Sequence, residues 1–106
     1  MATIFINTIS STVGTTEVIA FTATEKSMLV GGTVVNLLGS TVPFNLKLRR
    51  GSTDVYLHKG KRIATGETFA LDESRKTVLA VGDKLVVSAD AASAVDVVFS
   101  ILQGVS

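Results

Sequence analysis

The chain has 106 residues, enough for one domain with a single core, and a formal net charge of +1 with only 18% charged residues. That balance speaks against general nucleic-acid binding, and the absence of cysteine excludes disulfides, thiolate metal sites and Cys nucleophiles. Mean hydropathy is +0.47, there is no Trp, and Val, Ile and Thr dominate, which is the composition of half-buried strands. A surface so apolar and so weakly charged is one that copies of the same chain would cover.

No run reaches the 18 or more apolar residues of a membrane span, and the N-terminus lacks the basic and apolar regions of a signal peptide. The chain therefore reads as a soluble protein made in a cytoplasm, with no membrane partner.

In chain order, Thr3 to Ile9 alternates weakly and reads either as a first strand or as an arm that pairs with a neighbour. This divides the chain into residues 1–10, an N-terminal strand or exchange arm, and residues 11–106, one β-sandwich domain. Ser10 to Thr16 is expected to be a loop, Glu17 to Thr22 a short strand and Ala23 to Lys26 a turn. Ser27 to Leu38 is nearly continuous apolar sequence. A helix over Met28 to Leu38 is one reading, but Gly31-Gly32 and Thr33-Val34-Val35 favour a strand with a bulge or a close backbone approach. The run would serve as an oligomer interface or as a central strand buried on both faces, the latter being the default.

After the Gly39-Ser40 turn, Phe44, Leu46 and Leu48 alternate inward while Asn45, Lys47 and Arg49 point out. Val55 and Leu57 continue the inward face on the next strand. Pairing Leu48 with Val55 sets Arg49 opposite Asp54, a cross-strand charge pair. Lys59 to Arg62 reads as a polar turn, Thr65-Gly66 as another, and Glu67 to Leu71 as a short strand. Asp72 to Lys76 is a charged loop. From Gly82-Asp83 onward a hairpin is expected, with Val87 facing Val95 and Leu85 facing Val97 across the loop Ala89 to Ser93.

About eight short strands and no credible helix imply an all-β fold, an antiparallel β-sandwich of jelly-roll-like or Greek-key type.

Motifs for chemistry are sparse. His58 is the only histidine, with Asp54 and Ser52 nearby. On the expected hairpin His58 and Asp54 share the outer face about 13 Å apart, beyond hydrogen-bond reach. No catalytic, cofactor-binding or metal-binding residue is assigned, and no cofactor is expected. Lys47, Arg49, Arg50, Lys59, Lys61 and Arg62 cluster around one hairpin, either to meet phosphate or an acidic partner or as a solvated face that guards a sheet edge. Tyr56 is the outward aromatic on which a sugar could stack.

Specific residues carry a resemblance. The order Tyr56-Leu57-x-Lys59-Gly60, Gly66-Glu67-Thr68, Leu79-x-x-Gly82-Asp83-Lys84-Leu85 and Val95-Asp96-x-x-x-Ser100-Ile101-Leu102 resembles small virion structural proteins of tailed bacteriophages. Thr16-Glu17, Val30 to Asn36 and Phe44 to Leu48 fit the same layout. The resemblance implies β-sandwich subunits that form trimers or rings and decorate or connect head, neck or tail parts. Partners would be copies of the chain and other virion proteins, and the location the virion, assembled in the host cytoplasm. It carries over no catalytic residue. Candidate interface residues are Ile4, Phe5 and Ile6 on the N-terminal segment, with Lys47, Arg49 and Tyr56 on the charged hairpin. Two alternatives stand beside this reading: a carbohydrate- or host-receptor-binding sandwich using Tyr56, and a small hydrolase using Asp54 and His58.

Overall fold

The computed structural model describes residues 4–71 and 77–104. The loop expected at Asp72 to Lys76 lies outside the described residues, as do residues 1–3 and 105–106. Nine strands are present: β1 (Ile4–Val13), β2 (Val18–Thr22), β3 (Ser27–Asn36), β4 (Val42–Arg50), β5 (Thr53–Ile63), β6 (Thr68–Ala70), β7 (Thr77–Leu79), β8 (Lys84–Ala89) and β9 (Val95–Gln103). Among the described residues there is no helix.

Two antiparallel sheets face each other. Sheet A has the order β1-β9-β3-β6, with β7 also paired to β3; sheet B has the order β2-β8-β4-β5. Counting β6 and β7 as one interrupted edge strand, the chain fills eight positions in the order of a jelly roll. The expected antiparallel sandwich is therefore what the chain forms.

The core lies between the sheets. Phe44, Leu46, Leu85 and Val87 from sheet B meet Val34, Val97, Phe99 and Ile101 from sheet A, all essentially inaccessible to water. Each face was legible as alternation, since side chains of a strand point to opposite sides in turn.

The pairing of β8 with β9 was not. The expected hairpin does not form: β8 pairs with β2 and β4, β9 with β1 and β3, and the two strands lie in different sheets. Two apolar faces satisfy burial equally well side by side or face to face across a core. In the fold β8 is a central strand between β2 and β4, and Leu85, Val86 and Val87 are buried on both of its faces.

The β4–β5 hairpin has the expected register, with Leu48 opposite Val55 and Arg49 opposite Asp54. Val55 itself is 55% exposed rather than inward-buried, because β5 is a sheet edge and its start lacks cover. The polar turn expected at Lys59 to Arg62 is instead a bulge within β5. Gly60 takes the left-handed conformation there (φ 64°) and donates its N–H to Asn45 Oδ1 at 2.9 Å.

At the other end of the chain, β1 continues through Ser10 to Val13, where a loop was expected. A register shift between Ser10 and Val13, with Thr12 at φ 49°, keeps Val13 on the core side.

In β3 the glycine pair behaves as anticipated. The register shifts between Leu29 and Gly31. A Cβ on Gly32 would lie 2.4 Å from the Val98 carbonyl oxygen and 3.0 Å from the Phe99 ring. Its second face is only half-buried at Met28, Val30 and Val35, so β3 is not covered on both sides.

Candidate functional site

Charge is divided unequally between the sheets. Among the described residues, the five strands of sheet A contain one charged side chain, Asp96, while those of sheet B carry Lys47, Arg49, Arg50, Asp54, Lys59, Lys61, Arg62 and Lys84. Asp96 is engaged by its own chain, accepting the Thr12 N–H at 2.8 Å.

The outer face of sheet B is closed by ion pairs. Arg49 holds Asp54 through Nε at 2.7 Å and Nη2 at 2.9 Å, and its Nη2 also reaches Glu17 at 3.1 Å. Lys47 bridges the same two carboxylates, Glu17 and Asp54, the latter at 3.2 Å. These contacts, hydrogen bonds to Lys47 and Arg49 first among them, hold the Glu17 carboxyl below its ordinary range. Asp54 is held lower still, mainly by Arg49. The network ties Glu17, just before β2, to Lys47 and Arg49 on β4 and to Asp54 on β5, across the intervening β8. Beneath it sits Val86, register partner of both Ile19 and Lys47 and 1% exposed on a face that points away from the core.

A second ion pair joins a buried carboxylate to an exposed guanidinium. Asp83, at the turn before β8, accepts Arg50 Nε at 2.9 Å and Nη2 at 2.7 Å, together with the Ala80 N–H at 2.9 Å. Arg50, opposed by burial, pulls the carboxyl of Asp83 below its ordinary range.

The outer face of sheet A is different. Phe5 and Ile9 stand out from β1, 76% and 75% exposed, beside their register partners Leu102 and Val98 on β9. Met28 pairs with Leu102 on one side and with Val78 of β7 on the other, which extends the apolar surface across the sheet. A shallow groove of about 370 Å³ runs over it between Phe5, Met28, Val30 and Leu102.

β1 is also the free edge of sheet A, and its ten residues contain no charge. The opposite situation holds at β5, the edge of sheet B, which bears Lys59, Lys61 and Arg62. It is broken by two register shifts, features that discourage strand addition.

Of the candidate interface residues, Ile4 and Phe5 are exposed on β1, while Ile6 is half-buried on the inner side opposite Ile101. Lys47 and Arg49 lie far from this strand, on sheet B, with their charges satisfied within the chain. Tyr56 has Lys47 Nζ 5.6 Å and Lys59 Nζ 5.2 Å from its ring centroid, so cations already attend the ring.

His58 and Asp54 are not on one face. Leu57 is the extra residue of a bulge, Lys47 opposing Tyr56 but Leu46 opposing His58, and this turns His58 to the inner side. There its ring meets Phe69 of sheet A edge-on at 5.2 Å, at a cavity of about 230 Å³ also lined by Leu46 and Leu71. The bulge, invisible in alternation, separates the two groups.

Comparison with protein-family models, with curated proteins and with solved structures finds no match for this chain. What sequence reasoning missed was the segregation of charge. Its signal was present in the residue string but acquires meaning only when strands are sorted into sheets.

Proposed function

We propose that the chain is a non-enzymatic structural subunit of a tailed-bacteriophage virion, which assembles with copies of itself and with neighbouring virion proteins to decorate or connect head, neck or tail parts. The observation that supports this reading best is the apolar outer face of sheet A, where Phe5, Ile9, Met28, Val78 and Leu102 stand together at the surface and Asp96 is the one charged strand residue among those described. Large contiguous apolar surface on a small domain marks a place that another protein covers. Closed symmetric assembly hides such a face on every copy without leaving an end exposed.

Two further points agree with the proposal. The residue pattern described above resembles virion proteins of this size. The jelly-roll order of the sheets is one used by viral capsid domains and also by lectins, which is an analogy of fold and not of site. The lectin alternative would rest on Tyr56, whose ring is attended by two lysines.

The test has two parts. Peptides of the chain should be found in purified particles of the phage that encodes it, in many copies per particle. The isolated protein should give a discrete oligomer by native mass spectrometry across a concentration series. Absence from purified particles would overturn the virion assignment, and a strict monomer at high concentration would overturn self-assembly.

A further inference from the structure

We infer that β1 is a self-pairing edge: two copies join their β1 strands antiparallel about a two-fold axis at Asn7, making one continuous sheet from two copies of sheet A. This rests on the self-assembly reading above and specifies its contact.

An edge strand presents a row of N–H and C=O groups to whatever strand comes beside it, and soluble proteins guard such edges with charge, bulges, brevity or cover. In this chain β5 is guarded by lysines, by Arg62 and by bulges, and β6 and β7 are three residues each. The edge strand β2 has five residues and an irregularity between Ile19 and Phe21. Only β1 among the described strands is a long edge with neither charge nor interruption over Ile4 to Ser10.

The regular stretch ends at the Ser10–Val13 shift, where Thr12 is left-handed and its N–H is taken by Asp96. Seven residues therefore remain for pairing. The other edges of the chain are shorter or charged, so the edge that matches β1 in length and character is β1 of a second copy.

Isologous antiparallel pairing of Ile4–Ser10 with itself centres on its middle residue, Asn7. Phe5 of each copy then lies directly opposite Ile9 of the other, on the outer face. These are the most exposed large hydrophobic side chains of the strand in the single chain. Cross-strand aromatic–aliphatic pairs are favourable contacts in sheets. The two Asn7 amides meet at the axis. The pairing also runs the apolar outer faces of the two sheets together, and it produces assemblies with an even number of copies.

The absence of cysteine from the sequence makes the test direct. Directly opposed residues of an antiparallel pair have Cα atoms about 4.5–5.5 Å apart, within disulfide range. Asn7→Cys should therefore oxidise to a covalent dimer, exceeding the exposed loop control Ser52→Cys by about tenfold or more at equal concentration. A mixture of Phe5→Cys and Ile9→Cys should yield the mixed dimer. Phe5→Cys alone should not cross-link, its two sulfur-bearing positions being four residues out of register, about 13 Å.

If Asn7→Cys cross-links no better than Ser52→Cys while native mass still shows an oligomer, the β1 contact is refuted and self-assembly stands. If the native mass is that of a monomer, both fail.

Discussion

The bond between Asp83 and Arg50 gives the sharpest prediction about the fold. Asp83 is 1% exposed and accepts three hydrogen bonds, two from the guanidinium and one from the Ala80 N–H. Its own N–H donates to Ala80 O and its carbonyl accepts the Ala23 N–H, so the residue joins β8 to two turns. In Asp83→Asn, one side-chain oxygen can still accept the Ala80 N–H, but the charge-assisted contact with Arg50 is lost. Hydrogen bonds to charged groups contribute about 1.5–3 kcal/mol, so the variant should be less stable by about 2 kcal/mol at pH 7. For a domain of this size that corresponds to a drop in Tm of roughly 8–16 °C.

The pH dependence follows from the direction of the shift. The folded pKa of Asp83 lies below the unfolded value of about 3.9, so its stabilisation is present above that pH and is lost as pH falls through the folded pKa. Urea unfolding of both proteins at pH 7 and at successively lower pH should show the gap closing below about pH 4. A difference within about 0.5 kcal/mol at pH 7 would refute the reasoning, as would a gap unchanged by acid.

Gly32→Ala should destabilise by about 1–3 kcal/mol, since the new methyl meets a backbone carbonyl that belongs to β9 and cannot swing aside. Chemical denaturation measures it; a neutral result would mean that the sheet yields there. Asn36→Ala should cost about 2–4 kcal/mol, because the buried amide donates to Ser40 O and Ile63 O and accepts the Leu38 N–H, leaving three backbone groups to lose a partner. The Glu17–Lys47–Arg49–Asp54 network should respond to salt and acid. Glu17 and Asp54 have depressed pKa values, so their contribution holds above the ordinary carboxylate range and fades as pH falls through the folded values. At about 1 M salt, wild type should lose more stability than Asp54→Asn, whose network is already broken. Equal losses would show that the pairs contribute nothing.

Local rules carried the reading of the fold where contacts are close in sequence. The Arg49–Asp54 pairing followed from alternation on two strands joined by a short turn, and the behaviour of Gly31-Gly32 followed from the lack of a side chain. Longer-range features were hidden. Alternation says which face of β8 and β9 is apolar but not whether those faces are neighbours or opposed, and the structure opposes them. A bulge adds one residue without changing composition, so the turn of His58 to the inner side left no trace in spacing.

The interface candidates divide along the same line. Phe5 was legible as an apolar residue near the terminus, and the structure leaves it exposed on an uncharged edge. Lys47 and Arg49 looked available because Glu17, which binds both, lies 30 or more positions away in the chain.

The central claim is that the apolar face of sheet A, with its charge-free β1 edge, is where copies meet. Native mass spectrometry of three proteins tests it most directly: wild type, the Phe5→Glu/Ile9→Glu double variant, and Val55→Glu as an exposed apolar control on sheet B. With folding verified by circular dichroism, the account predicts a discrete oligomer for wild type and for Val55→Glu, and a monomer for the β1 variant. An oligomer that survives charges at Phe5 and Ile9 but dissociates in Val55→Glu would contradict it.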